Sequence, residues 1–173
     1  EPPIFKCFKL VEVETSQQQP QETQQNNDLS AFMTKEELFK MMNENPVMHL
    51  ATVDENGYPR VRGILMFKAS EDGIIFHTGT FKELYKQLMS NPKAELFFQC
   101  NGTQVRVEGK FELDESDEVF EEIYNHPSRA FIRQWGKSKE EVKDFLKIFR
   151  LKNGKAHTWS MADNFKPKEY IDL

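Results

Sequence analysis

Four pairs of asparagine or aspartate followed by glycine punctuate the sequence, and most stand between short segments rich in β-branched and aromatic residues. The pairs are Asn56-Gly57, Asp72-Gly73, Asn101-Gly102 and Asn153-Gly154. Such pairs adopt positive φ at low cost and are typical of tight turns between antiparallel strands. We therefore predict a meander of antiparallel strands, which favours a small barrel over a parallel sheet.

Helical patterns flank these strands. Thr34 and Glu37 form a capping box that begins a first helix, which ends before Pro46. Further helices are predicted over 81–90, 116–124 and 139–146, and strands over 47–53, 60–68, 74–78, 94–100, 103–113, 148–152 and 155–161. The last two strands are expected to form a hairpin. The predicted fold class is mainly β with flanking helices.

The first 33 residues differ from the rest. Residues 5–13 are compatible with a short strand, and residues 16–27 are rich in Gln and Asn and cannot build a core. We predict an N-terminal tail and linker over 1–33 and one folded domain over 34–173.

Composition excludes several classes of protein. The net charge of −5 argues against a nucleic-acid binder. No apolar run approaches the roughly 18–20 residues of a membrane-spanning helix, and the N-terminal residues do not resemble a signal peptide. Two cysteines and four scattered histidines predict neither a disulfide framework nor a metal site. We expect a cytoplasmic protein that does not bind membranes.

Charge is unevenly distributed along the chain. Residues 60–110 hold eight Lys or Arg against five Asp or Glu, a net +3, while the remaining residues carry −8. A positive island in an acidic protein suits a small anionic ligand such as a phosphate, although an excess of this size also arises by chance.

One candidate site lies in the predicted strand 60–68. Arg60 and Arg62 are two residues apart, so both side chains point to one face, where they could grip a phosphate. A bare Arg-x-Arg pair is also compatible with two solvated side chains. Gly63 is unusual inside a strand, because it lowers β propensity but allows a backbone or a flat ring to approach closely.

A second candidate site follows the strand 74–78. Thr78, Thr80 and Lys82 offer hydroxyl and ammonium donors beside a predicted helix N-terminus, which is a favourable seat for phosphate. The alternative is that Thr80 only caps the helix and Lys82 is solvated.

Together these motifs resemble the FMN-binding split barrel of the pyridoxamine 5'-phosphate oxidase superfamily. The resemblance rests on Gly57-x-Pro59, Arg62, Phe76-His-Thr78 with Lys82, Asn91-Pro92, and Gln104-Val-Arg-Val-Glu-Gly109, in that order. It covers residues 34–114, with a weaker continuation to residue 173.

The resemblance implies a cofactor, FMN, and a role for each matching residue. Arg62 would hold the phosphate, with Thr78 and Lys82 adding contacts, and backbone groups of Gly63, Ile64 and Leu65 would meet the edge of the flavin ring.

Gln104 would reach the flavin from the neighbouring strand or subunit. Trp135 would cover the ring from a partner chain, although a Trp is more often core or interface. Ile64, Leu65, Met66 and Phe98 are expected to form an apolar ring pocket. The resemblance also implies a homodimer.

The chain departs from the oxidase proper in two places. Residues 156–173 contain no Arg-x-His-type segment, and Phe67 stands where the oxidase tends to have Lys. Vitamin B6 oxidation is therefore not expected. The segment around His77 is more similar to the nitroimidazole-resistance (Nim) branch, in which a histidine lies near flavin and substrate. His77 is a candidate proton donor, the alternative being a hydrogen bond to the backbone.

The expected function is an FMN-dependent oxidoreductase that transfers electrons between a nicotinamide donor and a small-molecule substrate. Three alternatives stay open. A haem-binding barrel would use His77, His126 or His157 as axial ligand, a cofactor-free barrel would be purely structural, and a deazaflavin could replace FMN.

Overall fold

In the computed structural model, which describes residues 33–173, nine strands and four α-helices follow one another in a mixed order. The strands are β1 Val47–Val53, β2 Pro59–Leu65, β3 Lys68–Ser70, β4 Gly73–Gly79, β5 Lys93–Cys100, β6 Thr103–Leu113, β7 Leu146–Leu151, β8 Lys155–Trp159 and β9 Ile171–Asp172. The tail and linker predicted over 1–33 fall outside this range except for Met33, so the domain boundary stays a prediction.

Four α-helices flank the strands, together with two 3-10 segments, Pro127–Gln134 and Met161–Asp163. The helices are α1 Lys35–Glu44, α2 Glu83–Ser90, α3 Asp117–Asn125 and α4 Lys139–Phe145. The capping box predicted for α1 is present, since Thr34 Oγ1 accepts from Glu37 N and the Glu37 carboxylate accepts from Thr34 N.

The strands form one antiparallel sheet in the order β2-β1-β5-β6-β7-β4-β3, with β8 and β9 attached through β6. β6 joins the two halves of this sheet, because it pairs with β5 along one edge and with both β8 and β7 along the other. The sheet curls into a half-barrel, so the predicted class, mainly β with flanking helices in a split barrel, is confirmed.

The prediction of one strand over 60–68 is wrong. β2 ends at Leu65, and the next two residues change partners: Met66 N donates to Pro46 O, while Phe67 N donates to Ile75 O. The chain therefore leaves the β1 side and joins β4 within two residues, and apolar alternation cannot report such a change of partner.

The predicted hairpin around Asn153-Gly154 is also wrong. β7 and β8 lie end to end on the same edge of β6, with Leu151 opposite Phe111 and Lys155 opposite Glu108. Three residues, 152–154, thus face two, 109–110, which is a bulge rather than a turn. Asn153 has φ +54° and Gly154 is buried. An Asx-Gly pair can supply the positive φ of a bulge as readily as that of a hairpin turn, so the pair alone does not distinguish the two.

Two apolar clusters cover the two faces of the β4–β7 ladder. One fills the barrel between the sheet, α1 and α2, with Phe76, Phe98 and Phe149 fully buried. The other lies between Ile75 and Ile148 of the sheet and the helical segments that follow β6. Hence β4 is buried on both sides, and its alternate residues face different surroundings.

No helix within residues 33–173 is long and apolar enough to cross a membrane. No group of three or more potential metal-ligating side chains occurs in the same range.

Candidate functional site

Arg62 extends from β2 towards α2 and is held there by uncharged acceptors. Its Nη1 donates to Thr52 Oγ1 at 2.7 Å and its Nη2 to Gln87 Oε1 at 2.6 Å. Thr52 in turn donates to Gln87 Oε1 at 2.7 Å, so the three side chains close a ring of hydrogen bonds. Thr52 and Gln87 are buried. This ring fixes the orientation of the guanidinium.

The hydrogen bonds leave one edge of the guanidinium of Arg62 unused. Nη1 also donates to the carbonyls of Leu50 and Arg60, whereas Nε and the second hydrogen of Nη2 have no acceptor among residues 33–173. Nε–H and that Nη2–H point the same way, which is the geometry for bidentate binding of a phosphate or carboxylate.

No carboxylate among residues 33–173 pairs with Arg62. The arginine–carboxylate ion pairs of the described residues are Arg60 with Asp54 and Arg150 with Asp114. Partial burial lowers the pKa of Arg62 from its ordinary value, yet an arginine remains charged at neutral pH. A half-buried cation without a counter-ion, with a free bidentate edge, is a favourable site for an anion.

Arg60 shares the face of Arg62 but not its surroundings. Its Nε donates to Asp54 Oδ2 at 2.8 Å, at the turn between β1 and β2. The carboxylate of Asp54 also accepts from the backbone N–H groups of Asn56 and Tyr58, and these bonds lower its pKa. The side chain of Arg60 is thus paired with a carboxylate of the turn, and only Arg62 reaches the hydrogen-bonded ring with Thr52 and Gln87.

The second predicted segment, Thr78 to Lys82, leads directly into α2, the helix whose Gln87 holds Arg62. Thr78 is buried at the end of β4, Thr80 N donates to Phe145 O, and Lys82 is the N-cap of α2. Gln87 lies five residues after Lys82, about 7 Å along the helix. Thr80 is therefore not the helix cap, and Lys82 is exposed.

Gly63, Ile64 and Leu65 belong to an edge strand. Among residues 33–173, β2 pairs only with β1, so half of its backbone N–H and C=O groups point away from the sheet. A Cβ built on Gly63 meets no atom within 4 Å. The apolar pocket expected around the flavin ring cannot include Met66 and Phe98, because these side chains are only 1% and 0% exposed and belong to the core.

His77 faces the opposite side of β4 from Thr78, towards the 3-10 segment Pro127–Gln134. Its Nε2 accepts a hydrogen bond from Arg129 Nε at 3.0 Å. The rings of Phe131 and Trp135 lie 6.1 and 6.2 Å from the imidazole, centroid to centroid. Burial, and secondarily the charge of Arg129, lower the pKa of His77 to about 4. The imidazole is therefore uncharged at neutral pH, and its hydrogen bond is to a side chain.

Gln104 is remote from both groups within one chain. It lies on β6, directly opposite Gln99 of β5 and Trp159 of β8, and its Oε1 accepts from Arg106 Nη2 at 2.9 Å. Its neighbours Val105 and Val107 are buried, so Gln104 and Arg106 lie on the outer face of the sheet.

The predicted residues thus form three groups: Arg62 with α2, His77 with Trp135, and Gln104 on the outer face. The sequence profile of the pyridoxamine 5'-phosphate oxidase family matches residues 34–160, most of the chain. The chain belongs to the pyridoxamine 5'-phosphate oxidase family. The resemblance inferred from its motifs is therefore confirmed.

Members of this family with curated names are about one-third identical to the chain over the residues that align. A pyridoxine/pyridoxamine 5'-phosphate oxidase from Burkholderia mallei (strain SAVP1) is 34% identical over 110 residues, which cover 62% of this chain and 51% of that protein. One from Bradyrhizobium sp. is 31% identical over 102 residues, covering 58% and 47%. The chain spans about half the length of the curated relatives it matches.

Solved structures share the fold at lower identity. A NimC/NimA family protein from Clostridium acetobutylicum has a TM-score of 0.63 at 21% identity, covering 80% of this chain and 92% of that one. A pyridoxamine 5'-phosphate oxidase-related, FMN-binding protein from Nostoc punctiforme has a TM-score of 0.51 at 16% identity, covering 79% and 94%. These likenesses show the split-barrel fold.

Sequence reasoning missed three residues of these groups. Thr52 and Gln87 could have been found, because each is a polar residue at a position where the periodicity predicts a buried apolar one. Thr52 follows Met48 and Leu50 on one face of β1, and Gln87 lies between Leu84 and Leu88 on α2. Arg129 carried none, since the segment after α3 has no clear periodicity.

Proposed function

We propose that this chain binds FMN, with the phosphate on Arg62, and acts as an FMN-dependent oxidoreductase. The observation that carries the proposal is the guanidinium of Arg62, which is oriented by Thr52 and Gln87. Among residues 33–173, its bidentate edge is free and it has no carboxylate partner. Lys82 at the start of α2 would add positive charge, and Thr78 and Thr80 are the further candidates for phosphate contacts.

The edge strand β2 supports the position of the ring. The outward backbone groups of Gly63, Ile64 and Leu65 would meet the polar edge of a flavin, as hydrogen-bond donors and acceptors fixed in a strand. Among residues 33–173, Gly63 has no contact that requires a glycine. A strand-interior glycine costs about 0.5–1 kcal/mol relative to alanine. A close approach by a ligand or a second chain would explain why a glycine occupies this position.

FMN would supply transfer of electrons, and the protein would bind and orient it. The proposed partners are a nicotinamide electron donor, a small-molecule substrate and a second copy of the chain. Gln104 and Trp135 remain the candidates for contacts to the flavin across the dimer. His77, with a pKa of about 4, would act at neutral pH without a positive charge of its own.

The test is the absorbance spectrum of the purified protein, with mass analysis of the released cofactor. An FMN spectrum that is lost in Arg62→Met but kept in Arg60→Met supports the proposal. Loss of two charge-assisted hydrogen bonds predicts a fall in FMN affinity of roughly 100-fold, about 3 kcal/mol. Arg60 is the matched control, because it is on the same strand and face but pairs with Asp54.

The same measurement separates the alternatives. A Soret band near about 400 nm would replace the proposal with a haem-binding barrel. A deazaflavin mass would identify the bound cofactor as a deazaflavin instead of FMN. Failure of the protein to bind added FMN would support a purely structural barrel.

A further inference from the structure

The hydrogen bond between Arg129 and His77 determines where the imidazole carries its proton. An arginine side chain only donates hydrogen bonds. Because Arg129 Nε lies 3.0 Å from His77 Nε2, that nitrogen must be the acceptor and cannot carry hydrogen. In an uncharged imidazole the proton is then on Nδ1.

Arg129 is anchored independently of His77. Its Nη2 donates to Met66 O at 2.9 Å, where the chain passes from β2 to β3, and its Nη1 donates to Ser128 Oγ at 2.9 Å. The guanidinium lies over the ring of Phe67, 5.4 Å from the centroid, and Arg129 is only 4% exposed. The 3-10 segment bends at Arg129, with φ −114°. The donor that meets His77 is therefore held in place by its own contacts.

The other groups around His77 are apolar. Ile148 of β7 is its cross-strand neighbour, and it is covered by the rings of Phe131, in the 3-10 segment, and Trp135, the residue that follows the segment. Arg129 is the charged group of residues 33–173 whose field acts on His77. The cation has no carboxylate partner within these residues, so its charge opposes a second positive charge on the imidazole.

The remaining ring nitrogen of His77 is Nδ1. Nδ1 is buried and has no hydrogen-bond acceptor within the described part of the chain. An unsatisfied buried donor costs about 1–3 kcal/mol. Because few native groups are left unsatisfied in this way, such a donor indicates a functional site at which a ligand could accept the hydrogen bond.

We propose that Arg129 is a positioning residue that fixes His77 in its Nδ1–H tautomer, which leaves Nδ1 as the single donor of the imidazole for a bound ligand. The acceptor would be an oxygen or nitrogen atom of a small molecule bound against Phe131 and Trp135, whose rings would have to shift to expose the buried Nδ1. The ligand rests on the proposed function, whereas the tautomer is a property of the protein alone. His77 then contributes a hydrogen bond rather than a proton, unlike the acid role predicted from the sequence.

The experiment is two-bond nitrogen–proton NMR on uniformly nitrogen-15-labelled protein, with His77 assigned through His77→Gln. At neutral pH the expected spectrum shows His77 with hydrogen on Nδ1 and a bare Nε2, unchanged until the pH approaches about 4. In Arg129→Met both tautomers should appear, and the midpoint should move up towards the ordinary value of 6.5.

Arg133→Met is the matched control. Arg133 lies on the same 3-10 segment, but its Nη1 donates to Tyr124 O and it does not contact His77. The proposal is overturned if His77 of the unmodified protein carries its proton on Nε2, or if Arg129→Met leaves the tautomer unchanged. An equal response to Arg133→Met would also overturn it, because the effect would then come from general packing of the segment.

The measurement on the unmodified protein decides the tautomer even if Arg129→Met does not fold. It also stands apart from the proposed function, since no flavin is needed. A protein that binds no FMN but shows the Nδ1–H form would keep this inference and lose the other.

Discussion

Arg62 and Gln104 lie on opposite faces of the same antiparallel sheet. Directly paired residues share a face, and the pairs Arg62–Leu50, Leu50–Leu96 and Leu96–Val107 place Val107 on the face of Arg62. Gln104 is three residues from Val107 on an unbroken strand and therefore points to the other face. One FMN molecule in contact with both side chains would have to take them from two different chains.

This relationship predicts complementation between inactive variants. Arg62→Met and Gln104→Ala should each lose FMN binding, because each removes one side of a site shared by two subunits. When the two variants are unfolded and refolded together, half of the dimers should be mixed, and each mixed dimer has one site with both native residues. Titration with FMN should then recover about a quarter of the sites. A mixture that binds no FMN would contradict a shared site.

Gln87 should matter for the cofactor without touching it. Gln87→Leu removes the acceptor shared by Arg62 Nη2 and Thr52 Oγ1, so the guanidinium loses its fixed orientation. We expect FMN affinity to fall about tenfold, or about 1.4 kcal/mol, by fluorescence titration. Lys86→Met is the control, because Lys86 is the preceding residue of α2 and forms an exposed ion pair with Glu83. Equal affinities for the two variants would rule out this role.

Gly63 and Gly73 should respond in opposite ways to alanine. Gly73 has φ +114°, and an added Cβ would lie 2.6 Å from Leu151 O. Gly73→Ala should therefore lower the free energy of unfolding by about 2–4 kcal/mol.

The Cβ added by Gly63→Ala meets no atom of residues 33–173 within 4 Å, so the substitution should leave the stability of the cofactor-free protein unchanged or raise it by up to about 1 kcal/mol. Its FMN affinity should fall, because the methyl group would obstruct the ring. Urea unfolding and FMN titration of the same preparations measure both quantities. A large loss of stability in Gly63→Ala would mean that the glycine serves the chain itself.

Local patterns predicted the elements well but not their partners. The alternation of β1 and β6 and the capping box of α1 depend on neighbours in sequence, and these elements are as predicted. Asn153-Gly154 was misread because the sequence specifies positive φ and not which strand lies opposite. The break at Met66 was missed for the same reason, since it depends on carbonyls of Pro46 and Ile75.

The candidate site was predictable where a residue conflicts with its own element. Gly63 inside a strand was identified in this way, and Thr52 and Gln87 could have been, as polar residues among buried apolar ones. Arg129 follows no period, and its role arises only when the 3-10 segment packs against β4. Its contact with His77 spans 52 residues, and no local pattern in the sequence relates the two.

The depressed pKa of His77 predicts how stability depends on pH. The unfolded chain binds a proton with a pKa near 6.5, whereas the folded chain binds it only near 4. Between these values the unfolded state holds more protons, so the free energy of unfolding falls as the pH is lowered through this window. The full difference is about 3 kcal/mol.

His77→Gln should remove this component, because glutamine does not titrate and still offers Arg129 an acceptor. Urea unfolding at a series of pH values should show a shallower decline for the variant than for the unmodified protein between about pH 6.5 and about pH 4. His157, whose pKa is also lowered by burial, contributes a slope of the same sign in both proteins and cancels in the comparison. If the two curves stay parallel through the window, His77 titrates alike in the folded and unfolded states, and the burial of its imidazole beside Arg129 has no effect on its proton.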